Sequence, residues 1–255
     1  MTNIRASEVG LLANELRRAE SSMVPVDLLT NRYPDLTWQD ARSIALATDQ
    51  IRLRDGDTPI GYKLGWTSAA MREALGIERP NWGTLWRSQV ANELDLSQLI
   101  HPKIEPELVF RSAVDLTGSP SADDISETRG SWALGLEVVD PRFPNYGFGW
   151  LDNTADNSSA ARVVVGDFAV VDDPASIVVE FTDGSEVRHG SGANAMGDPN
   201  AAIAWLVTSL GEEGAAILAG QLIFTGGLTA PWDVAPLVTY TLRSPVLGGV
   251  RTTAR

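Results

Sequence analysis

The sequence predicts an α+β protein in which a small N-terminal helical layer, residues 1–60, precedes a β-rich domain, residues 61–255. Three observations predict this arrangement. Apolar residues recur at helical spacing in the first part of the chain. Beyond residue 60, short apolar runs bounded by turn-forming residues predominate. One further apolar helix is predicted among those runs, which indicates helices inserted into a single β-rich domain.

Two helices are predicted in the N-terminal layer. The first covers residues 7–20, where apolar side chains fall on one helical face. The second begins after Thr37, because a threonine followed three positions later by Asp40 is typical of a capping box. Turns are predicted at residues 33–35 between the helices and at residues 55–57 after the second.

The second part of the chain contains eight strand-like runs and one helix. Asp183-Gly184 predicts a hairpin turn. The helix is predicted to begin with Asp198 as N-cap and Pro199 as its first residue, and to stop at Gly211. The predicted strands cover residues 61–66, 104–110, 133–139, 163–165, 168–171, 177–181, 222–225 and 238–242.

Composition excludes several classes of site and partner. The chain has 255 residues, 44% of them hydrophobic, and a formal net charge of −13, which argues against nucleic acid and anionic membranes as partners. It has no cysteine, so thiolate metal sites and cysteine nucleophiles are excluded. The two histidines, His101 and His189, lie in no recognisable triad motif. No signal peptide or membrane-spanning run is visible, so we expect a cytoplasmic protein.

Three glutamates in apolar runs are the strongest indication of chemistry. Glu105 and Glu107 occur in IEPEL, and Glu137 follows in LGLEVVD. Residues two apart on a strand share a face, so the first two carboxylates are expected to point together. Two such carboxylates repel, and a third from a neighbouring strand would complete an all-oxygen ligand set. The pattern predicts a site for Mg²⁺ or Mn²⁺.

An alternative interpretation is that these glutamates form ordinary ion pairs on an exposed strand. Lys103, Arg111 and Arg142 are the cations nearest in the sequence. Pro106, between the first two glutamates, indicates an edge strand or a bulge because proline cannot donate a ladder hydrogen bond. The spacing alone leaves both interpretations open.

Two further segments are candidates for binding or catalysis. Lys63 lies in GYKLGWTS on a predicted strand, where a lysine either faces a cavity as an acid, base or anion ligand, or reaches solvent from a strand end. The run 146–166 is dense in Asp, Asn and Ser just before a strand, which is typical of a binding loop. Asp and Asn also favour plain turns, so part of this polarity has a structural explanation.

Six segments of the chain carry a further signal when taken together. In order, they are GYKLGWTS, LIHPKIEPELVF, LEVVDPRF with NYGF, ADNSS, GSGANAMGDPNAAIAWL and IFTGGLTA. These segments resemble the 2-hydroxydienoate hydratase and 4-oxalocrotonate decarboxylase group of the fumarylacetoacetase superfamily. The resemblance implies a mixed β-roll or β-sandwich core with flanking helices, a homo-oligomer, and Mg²⁺ or Mn²⁺ held by Glu105, Glu107 and Glu137. It also allows association with an enzyme of the same pathway.

Within this group the chain resembles the decarboxylases slightly more. Arg162 after ADNSS and the paired Gly226 and Gly227 are the features that favour them. The chain departs from the group pattern at Pro141, Ala160, Asp198 and Leu237-Val238. These departures leave the expected metal ligands in place and bear on substrate identity.

The resemblance implies a metal-dependent lyase acting on a 2-oxo acid. We expect decarboxylation of 2-oxohex-3-enedioate (4-oxalocrotonate), with hydration of 2-hydroxypenta-2,4-dienoate as the alternative. Acylpyruvate hydrolysis and a binding protein without turnover are more distant alternatives. The expected catalytic groups are Lys63, Asp156 and Ser159, and the expected substrate-binding groups are Arg142, Asn157, Thr67 and Ser68.

Overall fold

The computed structural model describes residues 4–255, and its two longest helices lie before residue 60. The predicted helices at 7–20 and after Thr37 are confirmed, and the Thr37 and Asp40 side chains form the expected capping box. The helices are α1 (Ala6–Ser22), α2 (Leu29–Arg32), α3 (Trp38–Arg54), α4 (Ala69–Leu75), α5 (Ala122–Glu127), α6 (Trp150–Ala155) and α7 (Pro199–Glu212).

The strands follow the sequence prediction at most positions. They are β1 (Pro59–Gly65), β2 (Asn81–Trp86), β3 (Lys103–Arg111), β4 (Ser131–Val139), β5 (Ala160–Val165), β6 (Val178–Thr182), β7 (Val187–Ser191), β8 (Leu222–Phe224), β9 (Trp232–Asp233), β10 (Thr239–Ser244) and β11 (Gly248–Thr253). The Asp183-Gly184 turn joins β6 to β7 as an antiparallel hairpin.

Two sheets form the body of the molecule. The larger has the strand order β2-β1-β8-β3-β4-β5, with β9 beside the start of β3. Its pairs are antiparallel except β1 with β8, so it is a mixed sheet. The smaller is an antiparallel sheet of order β11-β10-β6-β7. Apolar side chains of both sheets and of α7 share one buried core, and this confirms the predicted α+β fold.

The N-terminal helices pack as a layer on the second part of the chain. Leu12, Ile44 and Leu29 form a buried cluster with Phe143 and Ala155, which lie just after β4 and at the end of α6. Because α6 leads directly into the polar run 156–159, this layer supports the segment that carries several of the predicted site residues. None of the helices in residues 4–255 is both long and apolar enough to cross a bilayer.

Some local predictions were wrong. The run 168–171 is not a strand: only Ala169 pairs, in a single bridge with Trp132, before the chain turns at Pro174. The helix α7 continues past Gly211, and Gly214 is the residue that adopts the left-handed conformation after it. The prediction also missed β2, which is buried along almost its whole length and therefore lacks the polar alternation of a half-exposed strand.

Pro106 lies in the interior of a sheet without disrupting it. The register of β3 with β4 is continuous through Pro106, so the expected bulge is not present. On its other side, β3 pairs with β9 only at residues 103–104 and with β8 only at residues 109–111. Pro106 faces this gap, where a missing N–H costs no ladder bond, and its carbonyl accepts from the Leu228 N–H at 2.8 Å.

Candidate active site

Three carboxylates meet where β3 and β4 run side by side. Glu105 lies directly opposite Glu137 in the strand register, and Glu107 follows on the same face two residues later. One oxygen from each carboxylate lies within 4.8 Å of the others, and Glu107 and Glu137 are fully buried. The structure therefore brings together the three glutamates that the sequence singled out.

The electrostatics of this cluster are unfavourable for three bare carboxylates. Burial raises the pKa of all three, and the charge of Glu137 raises the pKa of Glu105 and Glu107 further. Glu107 Oε1 and Glu137 Oε2 are buried without a hydrogen-bond partner. Unpaired carboxylate oxygens that converge in this way suit a hard divalent cation such as Mg²⁺ or Mn²⁺, so the residues fit the expected metal.

The alternative of surface ion pairs does not match the geometry. Lys103 pairs with Asp233 at 2.8 Å, and Arg111 lies over the Phe168 ring at 4.1 Å. Arg142 pairs with Asp156. These three cations are engaged elsewhere, and within residues 4–255 the cation in contact with the cluster is Lys63.

Lys63 enters the cluster from β1. Its Nζ lies 3.1 Å from Glu137 Oε1 and donates to the Ser158 carbonyl at 3.0 Å and to Ser158 Oγ at 3.2 Å. The side chain is buried, so the ammonium is held by these three oxygens rather than by solvent. Of the two interpretations of this lysine, the structure supports the one in which it faces a cavity.

The turn that holds Lys63 has an unusual backbone. Asn157, Ser158 and Ser159 all have φ between 52° and 57°, a left-handed conformation that is costly for residues other than glycine. Two hydrogen bonds of the Asn157 side chain fasten this turn to β2: Oδ1 accepts from the Thr84 N–H at 2.7 Å and Nδ2 donates to the Thr84 carbonyl at 2.9 Å. Asn157 therefore positions the turn and is not among the residues that line the cavity described below.

Asp156 and Arg142 are buried against each other beneath the same turn. The Arg142 Nε donates to Asp156 Oδ1, and the Asp156 carboxylate also accepts from Ser159 Oγ at 3.3 Å. Burial raises the pKa of Asp156 to about 6, against the opposing effect of the Arg142 charge. Neither Arg142 nor Asp156 lines the cavity, so the geometry gives the pair a supporting position rather than a direct contact with substrate.

A cavity of about 910 Å³ opens onto the carboxylate cluster. Five of the residues predicted from the sequence line it: Lys63, Thr67, Ser68, Glu105 and Ser159. The prediction assigned no substrate-binding or catalytic role to the other lining residues, and six of these bear on the description of the site. These are Trp66, Arg72, Lys103, Tyr146, Asn153 and Ser158.

Some of the missed residues carried a signal in the sequence. Asn153 and Ser158 belong to the polar run already singled out, and Tyr146 belongs to the NYGF segment. Arg72 carried no such signal in the sequence. It lies on the short helix α4, which has no buried face and therefore no apolar periodicity by which it could have been predicted.

The Gly226-Gly227 turn closes one side of the cluster. The Gly226 N–H donates to Glu107 Oε2 at 2.7 Å, which orients that carboxylate. Gly226 has φ of 104°, and a Cβ at this position would lie 2.3 Å from Thr67 Oγ1. Glycine is therefore required here both by the backbone conformation and by the close approach of the segment after β1.

Comparison with known proteins identifies relatives along nearly the whole chain. The sequence is 32% identical to a 4-oxalocrotonate decarboxylase of Pseudomonas putida, over 97% of each chain. It is 31% identical to a 2-keto-4-pentenoate hydratase of Burkholderia vietnamiensis, also over 97% of each chain. No protein-family model matches the sequence.

Comparison with solved structures gives a result consistent with the sequence relatives. The 4-oxalocrotonate decarboxylase from Pseudomonas putida G7, complexed with magnesium and adipate, matches with a TM-score of 0.96 and 31% identity over 100% of both chains. A fumarylpyruvate hydrolase from Pseudomonas aeruginosa, in complex with Mn²⁺ and pyruvate, matches with a TM-score of 0.61 over 76% of this chain and 88% of its own. At 17% identity, the second match shows a shared fold alone. The chain belongs to the family of 4-oxalocrotonate decarboxylases and 2-keto-4-pentenoate hydratases.

Proposed function

We propose that this protein is a divalent-metal-dependent lyase that decarboxylates 2-oxohex-3-enedioate to 2-hydroxypenta-2,4-dienoate. The observation that carries the proposal is the cluster of Glu105, Glu107 and Glu137, with two buried oxygens unpaired, at a cavity that Lys63 also lines. Relatives named as decarboxylases share about a third of the sequence, and one was solved with magnesium and a dicarboxylic acid.

In this proposal the three glutamates would hold Mg²⁺ or Mn²⁺. When bound, such a cation supplies Lewis-acid stabilisation of negative charge on the oxygens of a 2-oxo acid. The main-chain N–H of Gly226 fixes the orientation of Glu107, and the cross-strand pairing fixes Glu105 against Glu137. The ligand set is therefore built on strands rather than on mobile loops, which favours precise geometry.

Lys63 is the group we assign to charge and proton handling. Decarboxylation breaks the bond to the distal carboxyl carbon, CO₂ leaves, and the electron pair is delocalised through the conjugated chain to the 2-oxo oxygen. That oxygen gains a proton in the 2-hydroxydienoate product. Lys63 Nζ, buried and held by Ser158 beside the carboxylates, has the charge to stabilise this oxygen and a proton to donate to it.

Other predicted residues receive narrower roles. Ser159, Thr67 and Ser68 line the cavity and are assigned to orient substrate or water. Asp156 acts through Ser159. Its carboxylate accepts a hydrogen bond from the Ser159 hydroxyl, and the same hydroxyl accepts a hydrogen bond from Asn153 Nδ2 at 2.8 Å. We propose Arg142 and Asn157 as positioning residues of the 156–159 turn.

Hydration of 2-hydroxypenta-2,4-dienoate is the second candidate function. The chain matches a 2-keto-4-pentenoate hydratase over the same 97% of its length and at nearly the same identity as the decarboxylase. Both reactions need negative charge to be stabilised at the same 2-oxo oxygen, so the carboxylate cluster and Lys63 serve either. The two reactions differ in whether the cavity binds a second substrate carboxylate or admits water to the part of the substrate's carbon chain that lies away from the 2-oxo acid.

The test is to incubate the Mg²⁺-loaded protein separately with 2-oxohex-3-enedioate and 2-hydroxypenta-2,4-dienoate. CO₂ release from the first acid supports the decarboxylase, consumption of the second with loss of the dienol absorbance supports the hydratase, and no reaction with either rejects both. The metal assignment is tested by Glu107→Gln, for which calorimetry should show Mg²⁺ affinity reduced by at least about tenfold. Glu186→Gln, at an exposed position, is the control.

We also propose that the protein is cytoplasmic and that it is a homo-oligomer, the latter as its resemblance to the family implies. Light scattering coupled to size exclusion measures the mass directly. A species at the 27.4 kDa of one chain across the micromolar range would reject this assembly.

A further inference from the structure

Arg72 is a cavity-lining cation without an acidic partner among the described residues. It lies on α4, a helix with no buried residue, which covers part of the cavity. Its Nη1 donates to the Trp66 carbonyl, and Trp66 is itself held by a 2.9 Å hydrogen bond from its Nε1 to Asn153 Oδ1. The guanidinium is therefore fixed at one corner, and its remaining N–H groups are free to bind a ligand.

Within residues 4–255, each of the other cations of the cavity has an acidic partner. Lys63 pairs with Glu137 at 3.1 Å, and Lys103 pairs with Asp233 at 2.8 Å while its Nζ stands over the Tyr146 ring. Arg142, which the sequence analysis expected to bind substrate, is enclosed by Asp156 and main-chain carbonyls outside the cavity. Arg72 is thus the cation of the cavity lining that has no acidic partner among the described residues.

The surroundings of Arg72 match a carboxylate on an extended hydrocarbon. Met71, Phe148 and Leu228 line the same cavity and offer apolar contact to a carbon chain. A guanidinium binds a carboxylate through two parallel N–H groups, and partial removal from water strengthens that interaction. Partial burial also lowers the pKa of Arg72 from its ordinary value, which agrees with a guanidinium that has lost water and has gained no anion in exchange.

We infer that Arg72 binds the second carboxylate of a dicarboxylic substrate and so sets selectivity for 2-oxo dicarboxylates over 2-oxo monocarboxylates. The inference rests on the proposed function, because it places the 2-oxo acid end of the substrate at Glu105, Glu107 and Glu137. It makes Arg72, rather than Arg142, the arginine that contacts substrate. Once CO₂ has left, the product has no group for Arg72, which favours its release.

Binding of two unreactive acids tests this role independently of turnover. Adipate has carboxylates at both ends, and hexanoate has the same chain length with one. Calorimetry on the Mg²⁺-loaded protein should show that Arg72→Gln weakens adipate binding by about 10- to 100-fold, as expected for a charged hydrogen bond. Hexanoate binding should change by less than about threefold, and Arg72→Lys should restore part of the adipate affinity because it keeps the charge.

Two matched variants control for charge and for the neighbouring cation. Arg79→Gln removes an arginine that lies over Trp38, pairs with Glu212 at 3.6 Å and is outside the cavity lining, so adipate binding should not change. Lys103→Gln removes the other cation on the cavity wall. The assignment to Arg72 would be overturned if Lys103→Gln lost the preference for adipate while Arg72→Gln kept it in full. It would also be overturned if Arg72→Gln lost affinity for adipate and hexanoate equally.

Turnover separates this inference from the proposed function. With 2-oxohex-3-enedioate, Arg72→Gln should raise KM at least about tenfold with a smaller change in kcat, because the contact exists in both ground and transition states. A wild-type protein that turned over neither substrate yet preferred adipate through Arg72 would reject the lyase proposal alone. Normal decarboxylation with unchanged KM in Arg72→Gln would reject the role of Arg72 alone.

Discussion

Arg142 and Asp156 form a buried ion pair that fixes the start of the 156–159 turn. Besides Asp156, the guanidinium donates to the main-chain carbonyls of Asp140 at 2.9 Å and Ala160 at 3.2 Å. The Arg142 N–H also donates to Asp156 Oδ2 at 3.1 Å. One side chain therefore links the end of β4, the turn and the first residue of β5, and the ion pair has a structural role.

Replacing Arg142 tests this role through stability. In Arg142→Met, Asp156 would remain as a buried carboxylate without its cation, so we expect the free energy of unfolding to fall by about 3–5 kcal/mol. Urea denaturation measures it. The double variant Arg142→Met/Asp156→Leu should recover part of the loss because the uncompensated charge is gone. An Arg142→Met protein of wild-type stability that had lost affinity for adipate would instead identify Arg142 as a substrate ligand.

Replacing Lys63 should move activity and metal affinity in opposite directions. The Lys63 ammonium lies 3.1 Å from Glu137 and partly neutralises the carboxylate cluster. Lys63→Met should lower turnover of 2-oxohex-3-enedioate by about 10²- to 10⁴-fold. Mg²⁺ affinity, measured by calorimetry, should rise because a competing positive charge is removed. A variant with parent-level activity and parent-level Mg²⁺ affinity would show that the assigned role is wrong.

Asp49 gives the protein a pH dependence of stability that is separate from the site. It accepts a 2.6 Å hydrogen bond from Thr84 Oγ1, its second oxygen is buried without a partner, and burial raises its pKa to about 6 from 3.8. Since the folded pKa lies above the unfolded one, ionisation destabilises the fold above pH 6. This penalty disappears as the pH falls from about 6 towards 3.8.

The variant Asp49→Asn should therefore gain stability relative to the wild type at neutral pH. We expect its advantage in unfolding free energy at pH 7.5 to exceed that at pH 4 by about 1–3 kcal/mol. Denaturation curves at both pH values measure the difference. Asp172→Asn, at an exposed position, controls for the loss of one negative charge. A constant difference between Asp49→Asn and wild type across this range would contradict the prediction.

Gly83 is required where β2 meets the 156–159 turn. It pairs with Lys63 in the β1–β2 register, and a Cβ on it would lie 2.2 Å from the Asn157 carbonyl oxygen. Because the obstacle is main chain, Gly83→Ala must displace the turn from β2, so we expect a loss of about 1–3 kcal/mol with reduced turnover. In contrast, Gly10→Ala in α1, with open space around the new methyl group, should stabilise the protein by about 0.5–1 kcal/mol. Thermal unfolding compares the two.

The parts of the site that follow from strand periodicity could be predicted from the sequence. The two-residue spacing of Glu105 and Glu107 fixes their shared face, and a neighbouring strand was enough to suggest Glu137. Lys63 was identifiable as a lysine inside an apolar strand. The division of the chain at residue 60 stays a prediction.

The parts that depend on irregular backbone could not be predicted. Three consecutive left-handed residues occur at 157–159. Asn adopts this conformation more readily than most residues, but no local propensity favours it in the two serines that follow. Tertiary contacts to Thr84 stabilise it instead. Arg72 was missed for a related reason, since α4 lies over a cavity and has no apolar face packed on the core.

The pairing of Glu105 with Glu137 has a consequence for how this chain tolerates insertions and deletions. Adding or deleting one residue within either strand would move one carboxylate to the opposite face of the sheet, into apolar packing, while the other stayed behind. The connection between the strands, residues 112–130, lies outside the cavity lining. The spacing of the carboxylates therefore fixes the lengths of the two strands but places no constraint on the length of the connection between them.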